Sequence, residues 1–328
     1  MNNIKNNAFL LTGGAGFIGS HLCDFLLDNG ARHVIIIDNF FLGSIDNLSR
    51  SLNEFNERVT VIKGDASSHE TVRNALNQYN VSVVINLATK ALLHSFSDPH
   101  DAFRVNTDIT LNLLELLRNK TYKKLIHISS SEVFGTAKTV PMDEDHDRRP
   151  ETTYAAGKCA ADVAVESYIR MFDVNAVILR PFNNFGPRQN TEKLAGIIPA
   201  TVKRILYNEN IVIHGDGYQT RDYIYVKDTV KIIGMFTSEV ELNFYEYNMG
   251  SGIETSVNKI IDLICKKMNF KYDIKRMPER KADVKRHCAN VERIEKEFGP
   301  MNLTNFDEAM DDTINFYILK FHGKKFNG

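Results

Sequence analysis

Six short apolar runs, each closed by a polar or charged residue and separated by amphipathic stretches, constrain this chain more than any other feature. They are Phe9 to Thr12, Val34 to Asp38, Val59 to Lys63, Val83 to Asn86, Leu125 to Ser129 and Ala176 to Arg180. Runs this short and this apolar suit strands buried on both faces. Between them lie Phe17 to Asn29, His69 to Gln78, Pro99 to Asn119 and Thr152 to Met171. The last two carry apolar residues at three-and-four spacing, and all four read as helices. Repeated strand-helix-strand units predict an α/β fold, a Rossmann doubly wound parallel sheet occupying residues 1–180. Beyond residue 180 the pattern loosens into short elements with glycine turns at Gly186, at Gly215 and Gly217, and at Gly250 and Gly252. Residues 181–328 read as a smaller C-terminal α/β substrate-binding lobe, some segments of which return to the first domain.

Forty basic residues against 41 acidic ones leave a formal net charge of −1. No global field then draws in nucleic acid or an anionic membrane, so phosphate recognition must be local. Met1 to Asn7 is rich in asparagine, and the apolar stretch before Gly13 is too short for a signal-peptide core or a membrane span. The expected location is cytoplasmic. Cys23, Cys159, Cys265 and Cys288 are scattered without a CxxC or other metal spacing. They read as reduced, buried side chains, and no metal is expected.

The first run ends in Thr12-Gly13-Gly14-Ala15-Gly16-Phe17-Ile18-Gly19, with glycines three apart at 13, 16 and 19. The first allows a tight turn, the second lets backbone approach a pyrophosphate, and the third lets helix and strand pack closely. The N–H groups opening the following helix are free to meet phosphates. Asp38 ends the next strand, where a carboxylate accepts both hydroxyls of an adenosine ribose. That carboxylate repels a 2′-phosphate, so the expected cofactor is NAD and not NADP. Asp65, in Gly64-Asp65-Ala66 at the end of the third strand, is placed near the adenine amino group.

Tyr154 and Lys158 stand four apart at the start of a helix, so their side chains share one face. A neighbouring ammonium lowers a phenol's pKa and makes it a usable base. Tyr223 to Lys227 repeats the spacing but reads as a strand, where residues four apart are separated by ~13 Å. Tyr154 is selected by its order after Ser129-Ser130-Ser131-Glu132, which follows a buried strand and so lies at the carboxyl edge of the sheet.

These pieces, with Asp38-Asn39, Asn106, Ser129 to Gly135, Arg180 to Arg188, and Gly215-Asp216-Gly217 followed by Thr220-Arg221-Asp222-Tyr223, resemble an extended short-chain dehydrogenase/reductase of the NAD-dependent epimerase/dehydratase family. The resemblance covers nearly the whole chain. It implies that Ser130 and Tyr154 contact the C4 hydroxyl of a sugar carried on a nucleotide diphosphate and that Lys158 binds the nicotinamide ribose. It also implies cofactor contacts from Phe17, Ile18, Asn39, Ala66, Leu87, Ala88 and Asn106. Substrate contacts fall to Ser131, Arg280, Asn183, Arg188 and Arg221, the last three facing the diphosphate. Residues near Arg286 and His287 are expected to touch the base, and a homodimer is expected through the helices at 99–119 and 152–171.

Within this resemblance Glu132 argues for a 4,6-dehydratase. Once C4 is a ketone, a carboxylate base can remove the C5 proton and let the C6 hydroxyl leave, a step an epimerase does not need. Similar dehydratases carry Thr-Asp-Glu or Thr-Ser-Glu where this chain has Ser130-Ser131-Glu132. Nucleotide-glucuronate decarboxylases also carry the Glu, but their usual Tyr-Asp-Glu-Gly-Lys is Tyr-Ala-Ala-Gly-Lys here. The doubled Asn183-Asn184, with Glu192-Lys193-Leu194 after it, sides with dehydratases. Lys90 and the Arg280-Lys281-Ala282-Asp283 segment depart from the family pattern. A cofactor-bound regulatory protein without turnover is the alternative from another class.

Overall fold

The computed structural model describes residues 4–192, 195–238, 241–271, 273–279, 282 and 284–325, with side chains to Phe321. Its first half runs β1 (Ala8–Thr12), α1 (Phe17–Asp28), β2 (His33–Asp38), α2 (Ser49–Glu54), β3 (Val59–Lys63), α3 (His69–Tyr79), β4 (Val83–Asn86), α4 (Pro99–Arg118), β5 (Lys124–Ile128), α5 (Thr153–Phe172) and β6 (Ala176–Pro181). Each of the six apolar runs forms a strand within a residue of its expected ends. Every residue of β1, β4 and β5 is buried, which is what helices on both faces of a parallel sheet demand. The long helices start at local signals: Asp98 accepts the Asp101 N–H ahead of Pro99, and Thr152 accepts the Ala155 N–H.

The second half runs β7 (Asn183–Phe185), α6 (Ile197–Leu206), β8 (Ile211–His214), β9 (Thr220–Tyr225), α7 (Val226–Met235), β10 (Glu246–Met249), β11 (Glu254–Ser256), α8 (Val257–Lys267), β12 (Ile274–Met277), α9 (Glu292–Phe298) and α10 (Phe306–Lys325). The main sheet is seven-stranded, in the order β10-β6-β5-β4-β1-β2-β3, and all six pairings in it are parallel. Strand order reverses between β1 and β4, which opens a crevice at their carboxyl ends.

The chain crosses residue 180 more than once. β10 returns to pair with β6, and Val230 and Ile233 of α7, with Phe236 just past its end, join the core that holds Leu22 and Leu26 of α1. Gly234 is what allows α7 so close, since a Cβ there would lie 2.3 Å from the Phe25 ring. The remaining C-terminal elements form sheets β11-β9-β7 and β12-β8 around a separate core of Phe185, Val202, Ile261 and Tyr317.

One local reading is corrected. The Tyr223 to Lys227 stretch is strand only as far as Tyr225, and Val226 opens α7. Tyr223 and Tyr225 are buried in the C-terminal core, and Lys227 pairs with Asp312 at 3.1 Å. Val226 is wholly buried beneath Gly186, so tertiary packing ends the strand where the apolar pattern continues.

Candidate active site

The carboxyl ends of the strands open onto one elongated cavity of about 430 Å³. At one end is the glycine turn. Gly13 has a φ of +69°, and a Cβ there would lie 2.8 Å from Ala88 Cα. Gly19 packs closer still, its absent Cβ falling 2.5 Å from the Gly13 carbonyl oxygen. Gly16 precedes α1 and supplies no side-chain cap, so the helix opens toward the cavity with N–H groups to spare. Overpacking a site this tight costs about 1–3 kcal/mol. We therefore expect Gly19→Ala to weaken NAD binding about tenfold or more by titration calorimetry; unchanged affinity would argue against this loop as the pyrophosphate cradle.

Of the expected cofactor residues, Gly13, Gly16, Phe17, Ile18, Asp38, Asn39, Asp65, Ala66, Leu87 and Ala88 all line this cavity. The Asp38 carboxylate is held by the N–H groups of Ala15 at 3.0 Å and Phe40 at 2.8 Å, with burial pushing its pKa up. Asn106 is a correction. It is buried under the cavity wall, not in it, and its Oδ1 accepts the Lys90 N–H and the Thr89 hydroxyl. Its work is to shape the loop after β4. Lys90 on that loop lies 3.1 Å from Asp101 and 3.7 Å over the Phe41 ring, a cation–π contact that ties the loop after β2 to the loop after β4 across the cavity.

At the other end, Ser130, Ser131, Glu132, Tyr154 and Lys158 line the same cavity. Ser130 caps the short helical turn after β5, its Oγ accepting the Glu132 N–H at 3.2 Å. The Ser130 and Thr89 hydroxyls share the cavity with the Tyr154 phenol and act on it in the direction that favours the phenolate. Thr89 was not anticipated, though its place just past β4 is a signal of the same kind that selected Ser130. The electrostatics differ from expectation. Burial, with the Glu132 and Asp162 charges adding to it, pushes the phenol up to about 12 against the opposing influence of the Ser130 and Thr89 hydroxyls. Burial likewise takes the Lys158 amine down to about 8, against the opposing pull of Asp162. Lys158 Nζ donates to the Ile128 carbonyl at 2.9 Å. A shared helix face brings the pair together, but desolvation governs both groups.

The expected substrate residues divide. Asn183 and Arg188 line the cavity, with Arg188 paired to Asp24 of α1 at 2.8 Å. Arg221 is not among the lining residues; it is mostly buried and donates to the Thr220 carbonyl. Arg280, Lys281 and Asp283 lie outside the described residues, as do Lys193 and Leu194. Arg286 forms a two-point pair with Glu254 at 2.8 and 2.7 Å. His287 is fully buried rather than presented to a base: Nε2 is 2.8 Å from the Gly135 carbonyl and Nδ1 is 3.3 Å from the Ser131 hydroxyl. A carbonyl cannot donate, so Nε2 carries the hydrogen and Ser131 donates to Nδ1.

A glycine cradle, an acidic residue closing β2, and a Ser-Tyr-Lys group across the switch-point crevice define the extended short-chain dehydrogenase/reductases. The model of the family described as GDP-mannose 4,6 dehydratase matches residues 10–313, and the chain belongs to that family. It is 32% identical over 290 residues to a putative UDP-glucose 4-epimerase of Methanocaldococcus jannaschii, covering 87% of this chain and 90% of that one. It superposes on UDP-N-acetylglucosamine 4-epimerase of Methanobrevibacter ruminantium, solved with UDP-N-acetylmuramic acid, with a TM-score of 0.88 at 31% identity over 96% and 99% of the two chains. A dTDP-glucose 4,6-dehydratase of Bacillus anthracis in complex with NAD gives 0.86 at 25% identity over 95% and 97%. Among the described residues no helix is long and apolar enough to cross a membrane.

Proposed function

We propose that this chain is an NAD-dependent nucleotide-sugar 4,6-dehydratase. The observation that carries the reading is a carboxylate, Glu132, in the same cavity as Ser130, Tyr154 and Lys158. NAD held by the glycine loop and Asp38 supplies the hydride acceptor for C4 and the hydride donor for C6. The cradle at Gly13 and the carboxylate at Asp38 fit that cofactor, the latter disfavouring a 2′-phosphate.

Ser130 and Tyr154 take the C4 hydroxyl, and Tyr154 receives its proton as C4 is oxidised. Lys158, charged below about pH 8, stabilises the phenolate that this creates. Glu132 then removes the C5 proton acidified by the ketone and passes it to the C6 hydroxyl, which departs as water; hydride return to C6 is balanced by a proton taken up at C5 from solvent. Asn183 and Arg188 are assigned to the nucleotide diphosphate, where an amide and a guanidinium suit phosphate oxygens. Arg221 and Ser131 are assigned to the substrate side. Exposed Phe103 and Leu111 on α4, with Val163, Met171 and Phe172 on α5, support a homodimer through those helices.

Relatives named 4-epimerases support a second reading, in which hydride returns to C4 and Glu132 is idle. Mass spectrometry after incubation with UDP-, dTDP-, GDP- and CDP-hexoses, their N-acetyl forms and UDP-glucuronate separates the two. Loss of one water with a 4-keto product is the expected result. An unchanged mass at a new retention time would make this an epimerase, and loss of carbon dioxide a decarboxylase. Light scattering on the same preparation is expected to give twice the chain mass, and a monomer would remove the dimer.

A further inference from the structure

Beneath the redox residues a line of buried polar side chains crosses the main sheet. The Thr12 hydroxyl of β1 donates to Asn86 Oδ1 of β4 at 2.7 Å, and Asn86 Nδ2 lies 3.2 Å from His127 Nδ1 of β5. An amide nitrogen only donates, so Nδ1 accepts and the ring hydrogen sits on Nε2. That Nε2 faces Asp162 Oδ1 of α5 at 3.5 Å, and Asp162 Oδ2 takes Arg180 Nε of β6 at 2.9 Å. Arg180 continues to Glu246 of β10 at 2.7 Å. The side chains of His127, Asp162 and Arg180 have no solvent exposure at all.

The reaction scheme uses none of these groups, yet Asp162 is one helical turn beyond Lys158 on the same face of α5. We propose that Asp162 is a positioning residue of the redox site, its buried, Arg180-anchored carboxylate one helical turn from Lys158 holding that side chain as an ammonium in the cavity it shares with Tyr154. The proposal rests on the assignment of Tyr154 and Lys158 to C4 oxidation and is indifferent to whether water is then lost.

Three features support it. The charge on Asp162 is secure: burial works against it, but Arg180 and then His127 bring its pKa down to about 2. Arg180 does not have to neutralise Glu246 alone, because Arg148 and Arg293 reach Glu246 at 2.9 and 3.5 Å. The other groups around the pair do not replace Asp162. His127 on β5 is kept neutral by burial, Arg180 on β6 repels an ammonium, and Glu132 beyond β5 raises the Tyr154 phenol, as the Asp162 charge also does, so the Lys158 midpoint and not the activity profile alone is the deciding readout. For Lys158 itself, burial favours the neutral amine and the Asp162 charge opposes it.

The sign follows directly. Removing the carboxylate lowers the Lys158 pKa further, so the ammonium disappears at lower pH and the alkaline limb of activity moves down. Protein labelled with carbon-13 at lysine Cε, and assigned by the signal missing from Lys158→Met, reports that pKa without any substrate. In the NAD-loaded protein Asp162→Asn is expected to shift the Lys158 midpoint down by about one pH unit, a tenfold change. The alkaline limb of NAD reduction by the nucleotide sugars should move with it, and Asp162→Glu should restore both. An unmoved midpoint, or a loss of activity uniform in pH, would overturn the proposal. Should Asp162→Asn fail to fold, Arg180→Lys is read instead; loosening the cation from Asp162 should move the midpoint upward, and no rise refutes the idea. A shifted midpoint in a protein that no nucleotide sugar reduces at any pH would sink the redox assignment while leaving the Asp162 effect intact.

Discussion

Tyr154→Phe is expected to abolish reduction of bound NAD by a nucleotide sugar while leaving NAD affinity unchanged. The variant removes one oxygen from a side chain whose backbone N–H is anchored by Ser95 Oγ at 2.9 Å, so the ring should stay in place. On the proposed reading what disappears is the acceptor for the C4 hydroxyl proton, and a positioned base is worth ~10²–10⁴-fold in rate. The residue left facing the sugar is Ser130, whose Oγ already accepts the Glu132 N–H and has no basicity of its own near neutral pH. Stopped-flow absorbance of the reduced nicotinamide checks the first half of this prediction, and calorimetric titration with NAD the second. A variant with normal reduction would remove Tyr154 from the site. The same logic fixes a pH dependence: with Lys158 at about 8, its ammonium is present below that value, so reduction should fall as pH rises through 8.

Glu132→Gln is expected to separate two half-reactions. Oxidation at C4 should survive, because the Glu132 charge is one of the influences that hold the Tyr154 phenol high, and neutralising it eases proton acceptance. Elimination should fall by ~10²–10⁴-fold, since an amide cannot take the C5 proton. Rapid quench with mass spectrometry should then show the reduced cofactor and a 4-keto sugar that keeps its C6 hydroxyl. Equal loss of both steps would mean that Glu132 serves binding and not elimination. Full turnover to an epimerised product would remove its role as base and favour the 4-epimerase reading. Ser131, which stands where some similar dehydratases carry an Asp, is a poor proton donor to the C6 hydroxyl, because its proton is committed to the neutral His287, whose burial drives its pKa to about 3.

Much of the scaffold was legible because its determinants are local. Two-sided burial forces continuous apolar runs, helices need three-and-four spacing with Asp98 or Thr152 at their starts, and the β1–α1 turn needs glycine where φ is +69°. Gly13, Gly16, Asp38 and Asp65, read from glycine spacing and strand ends, line the cavity, as do Phe17, Ile18, Asn39, Ala66, Leu87 and Ala88, which only the family resemblance supplied. Residues whose task depends on a distant partner were not legible. Asn106 was read as a cofactor ligand, yet it holds the loop at Thr89 and Lys90 from below. The segment around His287 was read as lying near a base, yet His287 itself is enclosed by Gly135, Ser131 and Phe182. The strand reading of Tyr223 to Lys227 failed at Val226, where packing under Gly186 outweighs the local pattern.

The sequence by itself determined the parallel sheet, the glycine cradle and the order of Ser130, Glu132, Tyr154 and Lys158, because each is set by spacing along the chain. The tertiary structure alone decided the charge states. A phenol and an ammonium four residues apart promise a lowered phenol pKa, and burial reverses that promise by raising Tyr154 and lowering Lys158. Only the fold brings Asp162, Arg180 and Glu246 from α5, β6 and β10 into one line under that pair. Desolvation and long-range pairing depend on what surrounds a group in space, and spacing along a chain carries no measure of either.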